Sequence, residues 1–251
     1  MIDLSGKTVV LTGAGRGQGA AEARYLAEAG ARVLGLDVSF AETIEHPRVE
    51  LVEHDVADPA AWSRLAARLD RDGGEIHGLV NNAAIPGRTP LLEVDLAEWD
   101  RVMAVNVTGP LLAIQTIAPR MPAGGSIVNI SSLAGATGVR VPAYATSKWA
   151  LRGLSLVASH ELGERGIRVN TLLPGYIDTP FVRQNPPTIT SATLAQIPLG
   201  RVGTPDDVCP LVAFLLSDES AWISGAEIAI DGGQSSHGGT KVIYDIVQGK
   251  R

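Results

Sequence analysis

Apolar residues along this chain fall into short, often β-branched runs of four to six positions, separated by longer stretches in which they recur at helical spacing. The short runs predict strands at Thr8–Thr12, Arg32–Asp37, Val49–His54, Gly78–Asn81, Ser126–Ser131, Arg168–Leu173 and Glu227–Ile230. Several are apolar nearly throughout, as in Val9-Val10-Leu11 and Ile127-Val128, the pattern of strands covered on both faces of a parallel sheet. The longer stretches predict helices near Gly19–Ala29, Pro59–Leu69, Leu96–Pro119, Tyr144–Arg165 and Pro205–Leu216. Pro59 and Pro205 follow Asp58 and Thr204, so a capping side chain precedes a first helical position that needs no N–H donor.

Strands alternating with helices over short connections imply right-handed crossovers. The fold class is therefore α/β, a Rossmann-type doubly wound parallel sheet of about seven strands with helices on both faces. No repeat, low-complexity tract or linker divides residues 1–251, which read as one domain. Two segments interrupt the rhythm. Tyr176–Gly203, rich in Pro, Thr and Gln, is long for a plain loop and predicts a substrate lid with short helices. Residues 234–251 form a tail whose apolar run, Val242-Ile243-Tyr244-Asp245-Ile246-Val247, is expected to dock on its own or a neighbouring subunit.

Composition adds limits. Hydrophobic residues at 45% and charged residues at 19% suit an ordinary globular core. A net charge of −6 argues against nucleic acid or an anionic membrane as a partner. The single cysteine, Cys209, cannot form an internal disulfide, and its apolar neighbours suggest a buried thiol. The N-terminus lacks a signal-peptide pattern and no run of 18 apolar residues occurs, so a cytoplasmic protein is expected. The five histidines show no paired ligand spacing, and no metal is expected.

The first strand runs into Thr12-Gly13-Ala14-Gly15-Arg16-Gly17-Gln18-Gly19, directly before a helix. Glycines there let the backbone turn sharply and approach a pyrophosphate resting on the helix N-terminus. Asp37 ends the second strand, 18 residues beyond Gly19, where a carboxylate bonds the adenosine ribose hydroxyls and repels a 2′-phosphate. Arg16 argues for the phosphorylated cofactor, but its length lets it point to solvent. NAD is the expected cofactor.

With Asp55-Val56, Asn81-Asn82-Ala83-Ala84, Asn106, Ser131-Ser132, Tyr144-x-x-x-Lys148 and Pro174-Gly175 following in order, the chain resembles the short-chain dehydrogenase/reductase family from about Gly6 to Gly233. The resemblance implies that Asp55 and Val56 border the adenine, Asn82 the adenosine ribose, and Ile177 with Thr179 the nicotinamide carboxamide. It also implies that Asn106 holds a water linking Lys148 to solvent, that Lys148 holds the nicotinamide ribose, and that the protein is a tetramer built on its Leu96–Pro119 and Tyr144–Arg165 helices. Two departures stand out. Ala84 replaces the family's usual glycine, and Ser132 precedes Tyr144 by 12 residues, one fewer than in many relatives, leaving Ser131 as an alternative.

The chemistry these residues suit is hydride transfer between NAD and a secondary alcohol or ketone. A free tyrosine titrates near 10, so as a base it needs positive charge nearby. Lys148 lies one helical turn beyond Tyr144 on the same face, and its charge, with that of the oxidised nicotinamide, is expected to stabilise the phenolate and lower the phenol pKa. Ser132 would hold the substrate oxygen near the phenol. Asn106 has a plainer reading, a mid-helix amide satisfying a backbone carbonyl. Two rival functions share part of the pattern. A nucleotide-sugar epimerase usually carries a larger C-terminal substrate region than the roughly 75 residues after Pro174, and a non-catalytic dinucleotide sensor typically loses the tyrosine or lysine. The expected pocket wall, Leu133, Ala134, Val141, Pro142, Tyr176 and Phe181, suits an apolar or cyclic alcohol, while Arg140 and Arg183 raise an anionic one.

Overall fold

A computed structural model describes residues 2–249. Seven strands, β1 (Thr8–Thr12), β2 (Arg32–Asp37), β3 (Val49–Glu53), β4 (Gly78–Asn81), β5 (Ser126–Ile130), β6 (Arg168–Pro174) and β7 (Glu227–Ile230), form one sheet in the order β3-β2-β1-β4-β5-β6-β7. Every pairing is parallel. The all-apolar strand sequences follow from this arrangement, because side chains alternate between two buried faces. Val9 and Leu11 pack with Leu26, Val208 and Val212 of α1 (Gly17–Glu28) and α7 (Pro205–Leu216). Val10 packs to the other side with Trp62, Leu65, Ile114 and Ala158 of α2 (Pro59–Asp72), α4 (Gly109–Ile117) and α5 (Pro142–Gly163). The proline-led starts hold: Asp58 accepts from the N–H groups of Ala60 and Ala61, and Thr204 with Asp207 closes a capping box.

Strand order reverses between β1 and β4, so their C-terminal ends diverge and open a crevice. Thr12 spans that point, its hydroxyl accepting from the N–H groups of Asn82 and Ala83, both at 3.1 Å. The connections that line the crevice are the turn after β1, the loops after β2, β4 and β5, and the long segment after β6.

The helix expected over Leu96–Pro119 is interrupted. It runs as α3 (Leu96–Met103), one π turn (Ala104–Thr108) and α4, and the Gly109 N–H reaches Ala104 O, five residues back. Pro110 explains the widening: with no N–H it leaves the Asn106 carbonyl without its α-helical donor. The run to Arg120 is long and apolar enough to cross a membrane on composition alone. Here it lies against the sheet, with Val102, Ala113 and Ile117 fully buried.

The segment after β6 carries a short helix, α6 (Pro187–Leu194), and bridges back to the fold through Ile177 and Gly203. The apolar run of the tail forms α8 (Thr240–Val247), an amphipathic helix. It leaves Ile243, Tyr244, Ile246 and Val247 60–76% exposed rather than docking them on its own subunit. Met1, Lys250 and Arg251, the ends of the expected domain and tail, lie outside the described residues.

Candidate active site

A cleft of about 1140 Å³ lies along the C-terminal ends of the strands. Of the residues singled out from sequence, Gly13, Arg16, Gly17, Gln18, Gly19, Asp37, Asp55, Val56, Asn82, Ser132, Tyr144, Lys148, Pro174, Gly175, Ile177 and Thr179 all line it. Asn106 does not.

The glycine-rich turn has the shape a dinucleotide needs. Gly13 sits at φ +71, and a Cβ there would fall 2.8 Å from the Ala83 Cα. A Cβ on Gly19 would collide with the Gly13 carbonyl, so backbone alone can line this cradle. At the end of β2, the Asp37 carboxylate is fixed by the N–H groups of Gly15 (2.8 Å) and Ser39 (3.3 Å), facing the cleft where a ribose diol would lie. The residues present therefore fit an adenine dinucleotide. Arg16 is exposed, as its length suggested. Ala84 costs nothing in backbone strain, since no described residue other than glycine has positive φ.

Asn82 is more constrained than a free ribose ligand. Its Nδ2 donates to the Thr12 and Gly13 carbonyls at 3.2 and 3.1 Å, pinning the turn to β4. Its Oδ1 receives Gln18 Nε2 at 3.4 Å, and that same nitrogen donates to Glu22 at 2.9 Å. Glu22 is fully buried, its other oxygen has no partner, and burial pushes its carboxyl up to about 8. Nothing in the sequence pattern singled it out. Glu42 was missed as well: its carboxylate takes the Gly17 N–H at 2.6 Å and pairs with Arg24 at 2.7 Å, capping a helix whose own N-cap residue, Arg16, supplies no side-chain bond.

The reactive cluster stands at the other end of the cleft. Pro142 starts α5 two residues before Tyr144, which places the phenol in the first turn, against Phe181 of the long segment. Lys148, one turn on, is 2% exposed, and its Nζ donates to the Ile130 carbonyl at 2.8 Å and lies 5.7 Å from the centre of the Tyr144 ring. Ser132 lies close enough to the phenol to oppose the rise in its pKa, and its hydroxyl accepts from the Ala134 N–H at 3.1 Å. The neighbouring Ser131 instead donates to the Lys148 carbonyl at 2.9 Å, buried and committed. The structure thus separates the two serines.

The expected lowering of the phenol pKa by Lys148 and the nicotinamide together is a property of the loaded site; in the protein by itself burial governs both groups. Burial pushes Tyr144 up to about 12, Ser132 opposing it, and burial pushes Lys148 down to about 7.

Asn106 is fully buried inside the π turn, and its amide is spent on protein partners. Oδ1 accepts the Ile85 N–H at 2.9 Å, while Nδ2 donates to the Ile85 carbonyl (3.1 Å) and to Ser147 Oγ (3.0 Å). Ser147 in turn donates to the Tyr144 carbonyl at 2.7 Å. The side chain shows the plainer role, tying the loop after β4 to the helix that carries the phenol.

The long segment closes over this end through a residue not singled out from sequence. Arg88 donates to Asn185 Oδ1 at 2.6 Å and to the Phe181 carbonyl at 3.0 Å. Of the two arginines considered for an anion, Arg183 is paired with Asp178 at 2.7 Å. Arg140 lines the cleft with no hydrogen bond or ion pair among the described residues.

A family profile described as enoyl-(acyl carrier protein) reductase matches residues 13–235. Trans-4-hydroxycyclohexanecarboxylate dehydrogenase of Sinomonas cyclohexanicum is 37% identical over 246 residues, covering 92% of this chain and 93% of its own. The 3-alpha-(or 20-beta)-hydroxysteroid dehydrogenase of Mycobacterium tuberculosis is 38% identical over 240 residues, covering 92% and 90%. Among solved structures, levodione reductase superposes with a TM-score of 0.86 at 31% identity, over 93% of this chain and 99% of that one.

Proposed function

The chain belongs to the short-chain dehydrogenase/reductase family, and on that premise we propose that it is an NAD-dependent oxidoreductase interconverting a ring-borne secondary alcohol and its ketone. The observation that carries this reading is the grouping of Tyr144, Ser132 and Lys148, with the ammonium 5.7 Å from the centre of the phenol ring, at the far end of a cleft that begins in a glycine cradle. The relatives' names support a CH–OH substrate on a ring over the carbon–carbon double bond that the profile's description suggests.

Bound NAD supplies the hydride acceptor and a positive charge beside the phenol. Tyr144 does the proton work: as phenolate it takes the hydroxyl proton when the alcohol is oxidised, and as phenol it returns a proton to the carbonyl oxygen in reduction. Ser132 orients that oxygen. Lys148, anchored on Ile130, stabilises the phenolate and holds the nicotinamide ribose. Asp37 selects the unphosphorylated cofactor, and Asp55, Val56, Ile177 and Thr179 complete its site.

The outer face of α5 exposes Trp149, Leu156 and Val157 by half or more of their surface or close to it, and Leu111 of α4 adds to it. These faces support a homotetramer, with α8 packing on a neighbouring subunit. The net charge of −6 and the buried thiol of Cys209 suit a cytoplasmic protein without nucleic-acid or membrane partners.

The test is absorbance at 340 nm with NAD or NADP and a panel of cyclohexanols. Tyr144→Phe should lower kcat about 10²- to 10⁴-fold while leaving NAD binding within a few-fold. Unchanged turnover in that variant would remove the tyrosine from the chemistry.

A further inference from the structure

We propose that the natural substrate carries a carboxylate on its ring and that Arg140 binds it, an inference that rests on the alcohol dehydrogenase reading above. Charge along the cleft is asymmetric. The acidic residues that line it are Asp37 and Asp55, at the ends of β2 and β3, where the adenosine half belongs. The substrate half lies beyond β5, three to four strands away, and no aspartate or glutamate lines it. Two guanidinium groups do, Arg88 and Arg140.

These two differ in what they touch. Arg88 donates to neutral acceptors of the lid, Asn185 Oδ1 and the Phe181 carbonyl, so it holds the lid and its charge stays uncompensated. Arg140 is exposed at the cleft wall, four residues before Tyr144, with neither an ion pair nor a hydrogen bond among the described residues. In a chain of net charge −6, where eleven other Lys and Arg side chains of the described residues stand in ion pairs, Arg140 and Arg88 line the substrate half of the cleft without one, and Arg140 also lacks a hydrogen bond, leaving its fork open to something that arrives from solution.

The walls around it are apolar, with Ile85, Pro86, Val139, Val141, Phe181 and Val182 lining the same cleft. One free fork beside an apolar wall suits a compact monoanion on a hydrocarbon body. A carboxylate matches the fork with two parallel bonds. The ring places its hydroxyl carbon at Tyr144 and its acid group toward the 138–141 loop.

The test compares 4-hydroxycyclohexanecarboxylate with neutral 4-methylcyclohexanol in the wild type, Arg140→Ala and Arg140→Lys, with cyclohexanecarboxylate, which has no alcohol to oxidise, as an inhibitor. Arg140→Ala should cut kcat/KM for the hydroxy acid about ten- to fiftyfold, mainly through KM, and weaken cyclohexanecarboxylate inhibition by a similar factor. Arg140→Lys should fall between, and 4-methylcyclohexanol should stay within about twofold in all three. Equal losses for acid and neutral alcohol, or no loss for the acid, would overturn the inference and leave the dehydrogenase reading standing. Turnover of neither compound by the wild type would overturn both.

Discussion

Glu22→Gln should make the protein more stable at neutral and alkaline pH, by an amount that grows as pH rises. Glu22 sits in α1 with no exposed surface, one oxygen receiving Gln18 and the other unpartnered. Burial moves its carboxyl from 4.5 to about 8, so at pH 7 the folded chain keeps a proton that the unfolded chain has released. A folded-state value above the unfolded one contributes its stability fully below 4.5, and that contribution is lost as pH climbs toward 8. At about 1.4 kcal/mol per pH unit the loss is bounded at about 5 kcal/mol, of which about 2 falls between pH 5 and 7 and about 1 more by pH 9. Glutamine keeps the acceptor for Gln18 and cannot ionise. The Cys209 thiol of α7, which Glu22 influences, is common to both proteins and cancels in the comparison. Urea unfolding followed by tryptophan fluorescence at pH 5, 7 and 9 reads the difference directly. A wild type–variant gap that stays constant with pH, or closes as pH rises, would refute the assignment of Glu22 as a buried neutral acid.

Two further outcomes follow from the same cleft. Asp37→Ala should lower the NAD-to-NADP ratio of kcat/KM by about tenfold or more, because it removes the carboxylate that would accept ribose hydroxyls and repel a 2′-phosphate; an unchanged ratio would place the ribose elsewhere. With Tyr144 held at about 12 in the protein alone, its phenol is the resting form, so alcohol oxidation should speed up as pH rises toward the cofactor-lowered value. Ketone reduction should slow over the same range, and parallel profiles in the two directions would count against a single acid/base group.

The inner strands were legible because they are apolar nearly throughout, and the site was legible where chemistry depends on one residue in a regular element. Tyr144 and Lys148 share a helix face, and Asp37 ends a strand, so spacing alone placed them. Ser131 and Ser132 were not separable, because the choice turns on which hydroxyl the Lys148 carbonyl captures across 17 residues. The upward push on Tyr144 in the protein alone was illegible for a related reason: charge proximity is visible in a motif, whereas desolvation comes from the packing of distant segments such as Phe181. Glu22, Glu42 and Arg88 carried no signal. Each looks like an ordinary surface charge until the fold buries it or turns it onto a backbone N–H or carbonyl.

Asn106 shows how a helix defect can serve the active site. In an unbroken α-helix the Asn106 carbonyl would receive the N–H of residue 110, but Pro110 has none. The backbone widens by one residue instead, and the Gly109 N–H bonds Ala104 across the π turn. That turn presents the Asn106 amide sideways, where it satisfies both backbone groups of Ile85 and reaches Ser147 on the helix of Tyr144. Three segments distant in sequence, the loop after β4, the widened helix and the first turn of α5, thereby share one buried polar group. Breaking that group would leave the Ile85 N–H and carbonyl without their partner, which in a buried site costs about 1–3 kcal/mol per group. The proline is thus best understood as a positioning device for the phenol, acting through Asn106 and Ser147 rather than by touching any reacting atom.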